Sequence, residues 1–321
     1  MPTLSVICPA YNEENIITAF LESIAAQTWC DFEFVIVDDA STDQTADLIE
    51  AYLPQLKCPK LFVRHEKNMG EGATIAEAFS KTTGNFVLKM DADSLIAPDT
   101  FTKLMDAFTN DEQAGIISAY QTSIDHSNWV VRGAEVVSIA YQRTGARADG
   151  HEHAHGICLA FRRHIFSTQE LASRTDVDLS WLARKRGWKI ILLNDVTIRS
   201  RIPSTLSWTF SRGRRDARQV LPNYWHHKEK LLTRWGFWAR FTPLGLAFIA
   251  LFKPLWALAG LLGWMIALQI FLYHQAPDYP LRDRLAATGV VLVSWIGFNT
   301  ETLLIVARAI VNMPKIGKRL Q

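Results

Sequence analysis

The sequence is poor in the features that mark several common protein classes. Its four cysteines in 321 residues, Cys8, Cys30, Cys58 and Cys158, are scattered without a Cys-x-x-Cys pair. That spacing argues against a disulfide-stapled domain and suits reduced thiols in a cytosolic setting. No internal repeat or low-complexity tract occurs. The N-terminus has neither a basic n-region nor a long apolar run, so no signal peptide is expected. The first apolar segment leads into Pro9-Ala10-Tyr11-Asn12-Glu13, without a Gly-x-Gly-x-x-Gly or Walker-type loop, which sets dinucleotide binding aside. Net charge is only +2, from 34 Lys and Arg against 32 Asp and Glu, so the whole chain is no polyelectrolyte.

What is present is apolar material and local asymmetry. At 49% hydrophobic and 21% charged residues, the chain can bury a sizeable core. Residues 199–240 hold ten basic residues against Asp216 and Glu229, a local +8, while the remainder carries 24 basic against 30 acidic residues. Such a segment seeks an anionic surface, nucleic acid or membrane. Trp208, Phe210, Trp225, Trp235 and Trp238 interleave with its arginines, the pattern of an interfacial amphipathic helix.

The composition changes at residue 241. Phe241–Phe252 and Leu255–Tyr273 are apolar apart from Thr242 and Gln269, and Lys253-Pro254 divides them. A second run, Leu285–Val311, is interrupted by Asn299, Glu301 and Arg308. A bilayer core takes about 20 apolar residues per helix, so two spans are expected. Arg234, Arg240 and Lys253 before the first, and Lys315, Lys318 and Arg319 after the second, predict a hairpin with both ends cytoplasmic. The adjacent spans favour membrane lipids over nucleic acid as the partner of the basic segment.

The first 200 residues alternate strand and helix. Strands are expected at Leu4–Cys8, Phe34–Val37, Leu61–Arg64 and Phe86–Met90, with helices at 14–27, 43–52 and 72–81. Apolar strands alternating with helices predict a parallel α/β sheet, whose ligands bind at the carboxyl ends of the strands. Three acidic clusters fall at such ends or beyond: Asp38-Asp39, Asp91-Ala92-Asp93 and Asp176-Val177-Asp178. Any one could cap a turn. Gathered at one edge they would repel one another unless a cation joined them, and hard oxygen donors favour Mg²⁺ or Mn²⁺. The run His151-Glu152-His153-Ala154-His155 has two readings, a metal site or a flexible, partly protonated loop near anionic phosphates; its ligand spacing favours the second.

Taken in order, Val6-Ile7-Cys8-Pro9-Ala10-Tyr11-Asn12-Glu13, Val37-Asp38-Asp39-Ala40-Ser41-Thr42-Asp43, Asn68-Met69-Gly70, Asp91-Ala92-Asp93 and Thr175-Asp176-Val177-Asp178-Leu179 closely resemble the family 2 glycosyltransferases over residues 3–220. The resemblance implies an α/β nucleotide-diphospho-sugar transferase fold of the GT-A type. By it, Pro9, Ala10, Tyr11, Glu13, Asp39, Asn68 and Asp91 line the nucleotide-sugar pocket, and Asp39 hydrogen-bonds the base. Asp91 and Asp93 form the Asp-x-Asp motif, with Asp93 the favoured direct metal ligand. The general base is Asp176, with Asp178 the second choice, since Thr175 replaces the family's Glu. His155 and Gly156 belong to the acceptor floor. Arg212 and Arg215 match a Gln/Arg-x-x-Arg-Trp motif of membrane-bound members such as cellulose and hyaluronan synthases, and imply diphosphate binding. Asp216 stands where those relatives have Trp, which argues against binding a growing glycan.

These observations predict four parts: a catalytic domain over 1–203, an interfacial segment over 204–240, a two-helix transmembrane hairpin over 241–312 and a basic cytoplasmic tail over 313–321. The expected protein is an integral enzyme of the inner membrane with its catalytic domain in the cytosol. It moves one sugar from a UDP- or GDP-linked donor to a lipid-borne acceptor, a polyprenyl phosphate or lipid-linked oligosaccharide. The alternatives are a processive polysaccharide synthase and a non-catalytic membrane scaffold.

Overall fold

The computed structural model describes residues 3–144, 146–147, 150–227 and 241–317. Lys228, Lys230, Arg234, Trp235, Trp238, Arg240, Lys318 and Arg319, on which part of the expected membrane surface rests, lie outside the described residues. The chain divides into two units, Met1–Ile124 with Gln142–Arg201, and Asp125–Tyr141 with Ile202–Gln321. Asp125–Tyr141, inside the expected 1–203 segment, groups with the C-terminal unit.

The first unit is built on an eight-stranded sheet in the order β3-β2-β1-β4-β9-β6-β10-β5. In chain order these are β1 (Leu4–Ala10), β2 (Phe32–Asp38), β3 (Lys60–Arg64), β4 (Phe86–Met90), β5 (Ser94–Leu95), β6 (Ala114–Ser123), β9 (Cys158–Arg162) and β10 (Lys189–Ser200); β7 (Ala146–Arg147) and β8 (Gly150–His151) form a separate hairpin. Helices α1 (Ile17–Ala25), α2 (Thr45–Tyr52) and α4 (Thr100–Asn110) contribute to one apolar cluster with Leu4, Val6 and Cys8 of β1. Helices α3 (Glu71–Ser80), α6 (Thr168–Ser173) and α7 (Asp176–Lys185) contribute to another with Ile7, Val35 and Phe161. Burial on both faces explains why the strands read as unbroken apolar runs.

The sheet is mixed rather than parallel. Strands β1 to β4 run parallel, but β9 is antiparallel to both β4 and β6. Cys158 at the start of β9 pairs with Met90 at the end of β4. The chain thus enters β9 at the carboxyl edge, which brings the preceding loop of His155 and Gly156 beside Asp91. Helix α1 begins later than expected because Glu13 N–H donates to Thr45 Oγ1 (2.7 Å) and Glu14 N–H to Asp43 Oδ2 (3.2 Å), so these residues serve the neighbouring loop.

The second unit contains most of α5 (Trp129–Thr144) and α8 (Leu206–His227), α9 (Thr242–Ala250), α10 (Pro254–Gln275) and α11 (Leu281–Gly317). The apolar run 241–252 is a nine-residue helix of its own, too short to cross a bilayer. Two helices are long and apolar enough: Leu255–Gln275, with mean hydropathy 2.0, and Leu281–Ile305, with mean hydropathy 1.3. Helix α10 is exposed along most of its length, with Leu255, Trp256 and Ile266 open at 79%, 73% and 61% and Leu272 buried at 1%. Helix α11 is different. It packs closely along α8, where a Cβ on Gly213 would stand 2.0 Å from Ser294 O and one on Gly297 2.2 Å from Phe210 O. Glu301, only 1% exposed, pairs with Arg214 at 2.6 Å and faces Arg218 at 3.9 Å.

Candidate active site

The carboxyl edge of the parallel strands is tied together before any ligand is considered. Ala10, Asp38 and Arg64 stand at one level by register, so Tyr11, Asp39 and His65 follow side by side. Asn12 links the first two loops: its N–H donates to Ser41 Oγ (3.0 Å) and its Oδ1 accepts from Thr42 N–H (2.8 Å). Asp38 is fully buried and its Oδ2 accepts from Ser41 N–H at 3.1 Å, a loop-holding role. Asp39 Oδ1 accepts from Met69 N–H (2.7 Å) and meets His65 Nδ1 (2.7 Å), while Oδ2 accepts from Gly70 N–H (2.9 Å). A carboxylate has about four acceptor positions, so three are taken and one on Oδ2 is left. Burial opposes the Asp39 charge, but the Met69 N–H and the other donors outweigh it and hold its pKa below the usual range. Asn68 Nδ2 donates to Asp39 O at 3.3 Å, and Tyr11 is 46% exposed at the mouth of the first loop.

Below this edge lies an acidic centre. Strand β4 ends at Met90, just before Asp91, and the turn that follows carries Asp93. Lys89, two residues before Asp91 and therefore on the same face of the strand, is buried at 6% exposure. Its ammonium donates to Glu71 Oε1 (3.0 Å), to Gly156 O (2.9 Å) and to Asp91 Oδ1. Burial works against that charge, yet Asp91 and Glu71 more than compensate, and the pKa of Lys89 lies above its ordinary value. Asp93 faces Arg201 Nε at 3.8 Å, and the same guanidinium pairs with Glu13. Burial first, and then the charge of Asp91, push the Asp93 carboxyl up to about 6.

This donor set fits a divalent cation. Five carboxyl groups, of Glu13, Glu71, Asp91, Asp93 and Asp176, stand against the cations Lys89 and Arg201, and the raised Asp93 reports charge that a cation would relieve. Asp91 and Asp93 side chains keep 33% and 23% exposure, so both are reachable. Among the described residues no group of three or more His, Cys, Asp or Glu is poised to hold a metal ion. A site of two carboxylates completed by phosphate and water oxygens is the usual pattern for Mg²⁺.

Asp176 and Asp178 separate clearly. Asp178 Oδ2 accepts from Thr175 N–H (3.2 Å) and Thr175 Oγ1 (2.8 Å), which closes a capping box at the start of α7. Asp176 Oδ2 instead accepts from Gly156 N–H at 3.0 Å, and its Oδ1 from Val177 N–H at 2.9 Å. Burial raises the Asp176 pKa, with Lys89 and the Gly156 N–H pulling the other way.

The histidine run is hydrogen-bonded into the fold, and His155 is not partly protonated. The His151 ring is buried between Gln142 O (2.6 Å) and His153 O (2.8 Å). His155 N–H donates to Ser118 Oγ at 3.0 Å, and burial, aided by His151 and His153, lowers its pKa to about 4. His155 is therefore neutral near pH 7. Arg212 and Arg215 lie on α8 in the second unit, Arg212 half-buried and Arg215 exposed.

Four residues of the centre were not among the expected ones: Lys89, Glu71, Arg201 and His65. Lys89 left a trace, a lone cation in the apolar strand Phe86–Met90 at two-residue spacing from Asp91. A cavity lined by Asn85, Phe86, Arg162, Arg163 and His164 opens at the other end of β4 and shares none of these groups.

A mixed sheet with an acidic carboxyl edge and an Asp-x-Asp turn defines a GT-A-type transferase fold. Residues 5–168 match the Glycosyl transferase family 2 profile, just over half of the 321 residues, and the chain belongs to that family. It is 27% identical over 166 residues to the undecaprenyl-phosphate 4-deoxy-4-formamido-L-arabinose transferase of Serratia proteamaculans, covering 50% of this chain and 49% of that one. It is 36% identical over 119 residues to the poly(ribitol-phosphate) beta-N-acetylglucosaminyltransferase TarS of Staphylococcus aureus, covering 36% of this chain and 20% of that one. The chain thus spans half or less of the length of these curated relatives. Among solved structures, it shares its fold with the mannosyltransferase PcManGT of Pyrobaculum calidifontis, crystallised with GDP-Man and Mn²⁺: TM-score 0.62, 22% identity, 92% of this chain and 87% of that one.

Proposed function

We propose that this chain is an inverting glycosyltransferase that moves one sugar from a UDP- or GDP-linked donor to a lipid-borne acceptor at the cytoplasmic membrane face. The acceptor is a polyprenyl phosphate or a polyprenyl-linked oligosaccharide. The observation that carries the reading is the convergence of Asp91, Asp93 and Asp176 on one sheet edge, with Asp176 set apart by its bond to Gly156. The name of the Serratia relative supports a polyprenyl-phosphate acceptor, and the exposed apolar helix α10 supports a membrane site.

In this reading Pro9, Ala10, Tyr11, Glu13 and Asn68 frame the nucleotide, and the remaining acceptor position of Asp39 takes an N–H of the base. Asp91 and Asp93 would hold Mg²⁺ or Mn²⁺, which when bound neutralises charge on the diphosphate leaving group. Asp176 takes the proton of an attacking hydroxyl, and its raised pKa brings it closer to working pH. His155 and Gly156 floor the acceptor side. Arg212 and Arg215 serve the diphosphate or the acceptor phosphate.

The test uses the full chain in detergent with Mn²⁺, a panel of UDP- and GDP-linked sugars, and undecaprenyl phosphate or a short polyprenyl-linked glycan. Mass spectrometry of the lipid product should show one added sugar, and NMR an inverted anomeric centre. A retained anomer, a long polymer, or transfer only to water-soluble acceptors would overturn the reading.

A further inference from the structure

We propose that Lys89 is a positioning residue that ties the donor side of this centre to its acceptor side. One ammonium holds Asp91 and, through the peptide of Gly156, the loop that fixes Asp176. The inference rests on the reading of Asp91 as a metal-site carboxylate and Asp176 as the base.

The geometry is that of a link. An ammonium has three N–H donors, and here they meet three acceptors on three segments: Asp91 at the end of β4, Glu71 at the start of α3 and Gly156 O in the loop before β9. A buried cation is costly unless it is paired and fully hydrogen-bonded, and each contact of Lys89 is satisfied. The Gly156 peptide then faces two ways, its C=O to Lys89 at 2.9 Å and its N–H to Asp176 Oδ2 at 3.0 Å. No side chain fits between them without displacement, since a Cβ on Gly156 would stand 3.1 Å from Asp176 Oδ2. Lys89 is also a resident cation at Asp91, and shares that carboxylate's charge with any metal that binds.

Two consequences follow with opposite signs, which a merely structural lysine would not produce. Lys89→Met removes the competing charge, so Mn²⁺ affinity, read by electron paramagnetic resonance alone and with UDP or GDP, should tighten about threefold or more. The same variant frees the Gly156 loop. Amide exchange of peptides covering 152–157 and 175–178 should therefore quicken about tenfold, and sugar transfer should fall. Gly156→Ala moves Asp176 without touching Asp91, so it should loosen 175–178 and leave Mn²⁺ affinity unchanged. If Lys89→Met fails to fold, Lys89→Arg keeps the charge but not the three-way geometry, and should loosen 152–157 with Mn²⁺ affinity little altered.

Weaker Mn²⁺ binding in Lys89→Met, or unchanged exchange at both segments, overturns the proposal. Asp91→Asn distinguishes the two levels of failure. If it leaves Mn²⁺ affinity untouched, the metal reading is wrong and the link falls with it; if it abolishes binding while Lys89→Met changes nothing, the link alone is wrong.

Discussion

Replacing Asp176 by Asn asks what the acceptor atom is. The substitution keeps size and shape, and the amide oxygen can still accept from Gly156 N–H at the 3.0 Å position now held by Oδ2. The other end becomes an NH₂ group facing Val177 N–H, so one local bond is lost and the loop otherwise survives. What disappears is the capacity to take a proton. For a hydroxyl acceptor that step contributes about 10²- to 10⁴-fold, or about 2.7 to 5.5 kcal/mol of barrier. A phosphate monoester is different, because its second pKa is about 6 and it is already largely ionised at pH 7. Asp176→Asn should therefore cost 10²-fold or more with a polyprenyl-linked glycan, and less than about tenfold with undecaprenyl phosphate. Burial has raised the pKa of Asp176, so the wild-type rate with a hydroxyl acceptor should climb with pH until the group ionises, then level. The variant should lack that acid limb. The assay is initial rate against pH with both acceptors, and donor affinity by equilibrium binding as the control. Unchanged hydroxyl transfer in Asp176→Asn, or a large loss in Asp178→Asn, whose carboxylate closes the α7 capping box, would refute the reasoning.

Three further outcomes are expected. Asp93→Ala should abolish the tightening of Mn²⁺ binding by UDP or GDP and stop transfer, while the melting temperature holds because burial already disfavours the Asp93 charge in the fold; normal Mn²⁺ titration would remove Asp93 from the site. His65 carries a raised pKa, since bonds to Asp39 and Glu77 outweigh the burial that opposes its charge, so its stabilising contribution is full below its ordinary value near 6.5 and is lost as pH rises through the higher folded value. His65→Gln should accordingly lower the melting temperature most near pH 6 and least near pH 9, and a pH-independent loss would contradict the pairing. Arg214→Leu leaves the Glu301 carboxylate buried with Arg218 at 3.9 Å, and should cost about 3 kcal/mol in detergent unfolding, most of which the double replacement with Glu301→Leu should restore; equal instability of single and double variants would show that the pair is not the source.

Much of the first unit was legible because its signals are local. Strand β4 coincides with the expected Phe86–Met90, and β1, β2 and β3 differ by one or two residues at their ends. The acidic clusters Asp38-Asp39 and Asp91-Ala92-Asp93 follow strand ends, as apolar runs broken by aspartates suggest. Strand direction is not local. Nothing in Cys158–Arg162 states that it runs against β4, and so the approach of Gly156 to Asp91 was hidden although both residues were singled out. The capping of Asp178 depends on Thr175 three residues earlier, a pattern the sequence does show; the role left to Asp176 depends on Gly156, twenty residues away. Arg201 was visible as part of a basic segment, but its partners Glu13 and Asp93 belong to the loops after β1 and β4, which only the sheet brings near it.

The two apolar runs of the C-terminus do form two helices long enough to span, yet α10 and α11 present different surfaces. Helix α10 exposes large apolar side chains at Leu255, Leu258, Leu262, Ile266 and Ile270, and burying such a surface in lipid is favourable all along its length. Helix α11 places Glu301 and Asn299 in the interior of its unit at 1% and 3% exposure. A carboxylate facing hydrocarbon would cost about 2.5 to 3.5 kcal/mol, and pairing with Arg214 offsets part of it. The close approach at Gly213 and Gly297 lets the pair form, since any Cβ there would meet backbone. The basic residues of α8 therefore do two kinds of work. Arg214 and Arg218 face Glu301 within the unit, which sets them apart from Arg212 and Arg215, the pair proposed above for a phosphate.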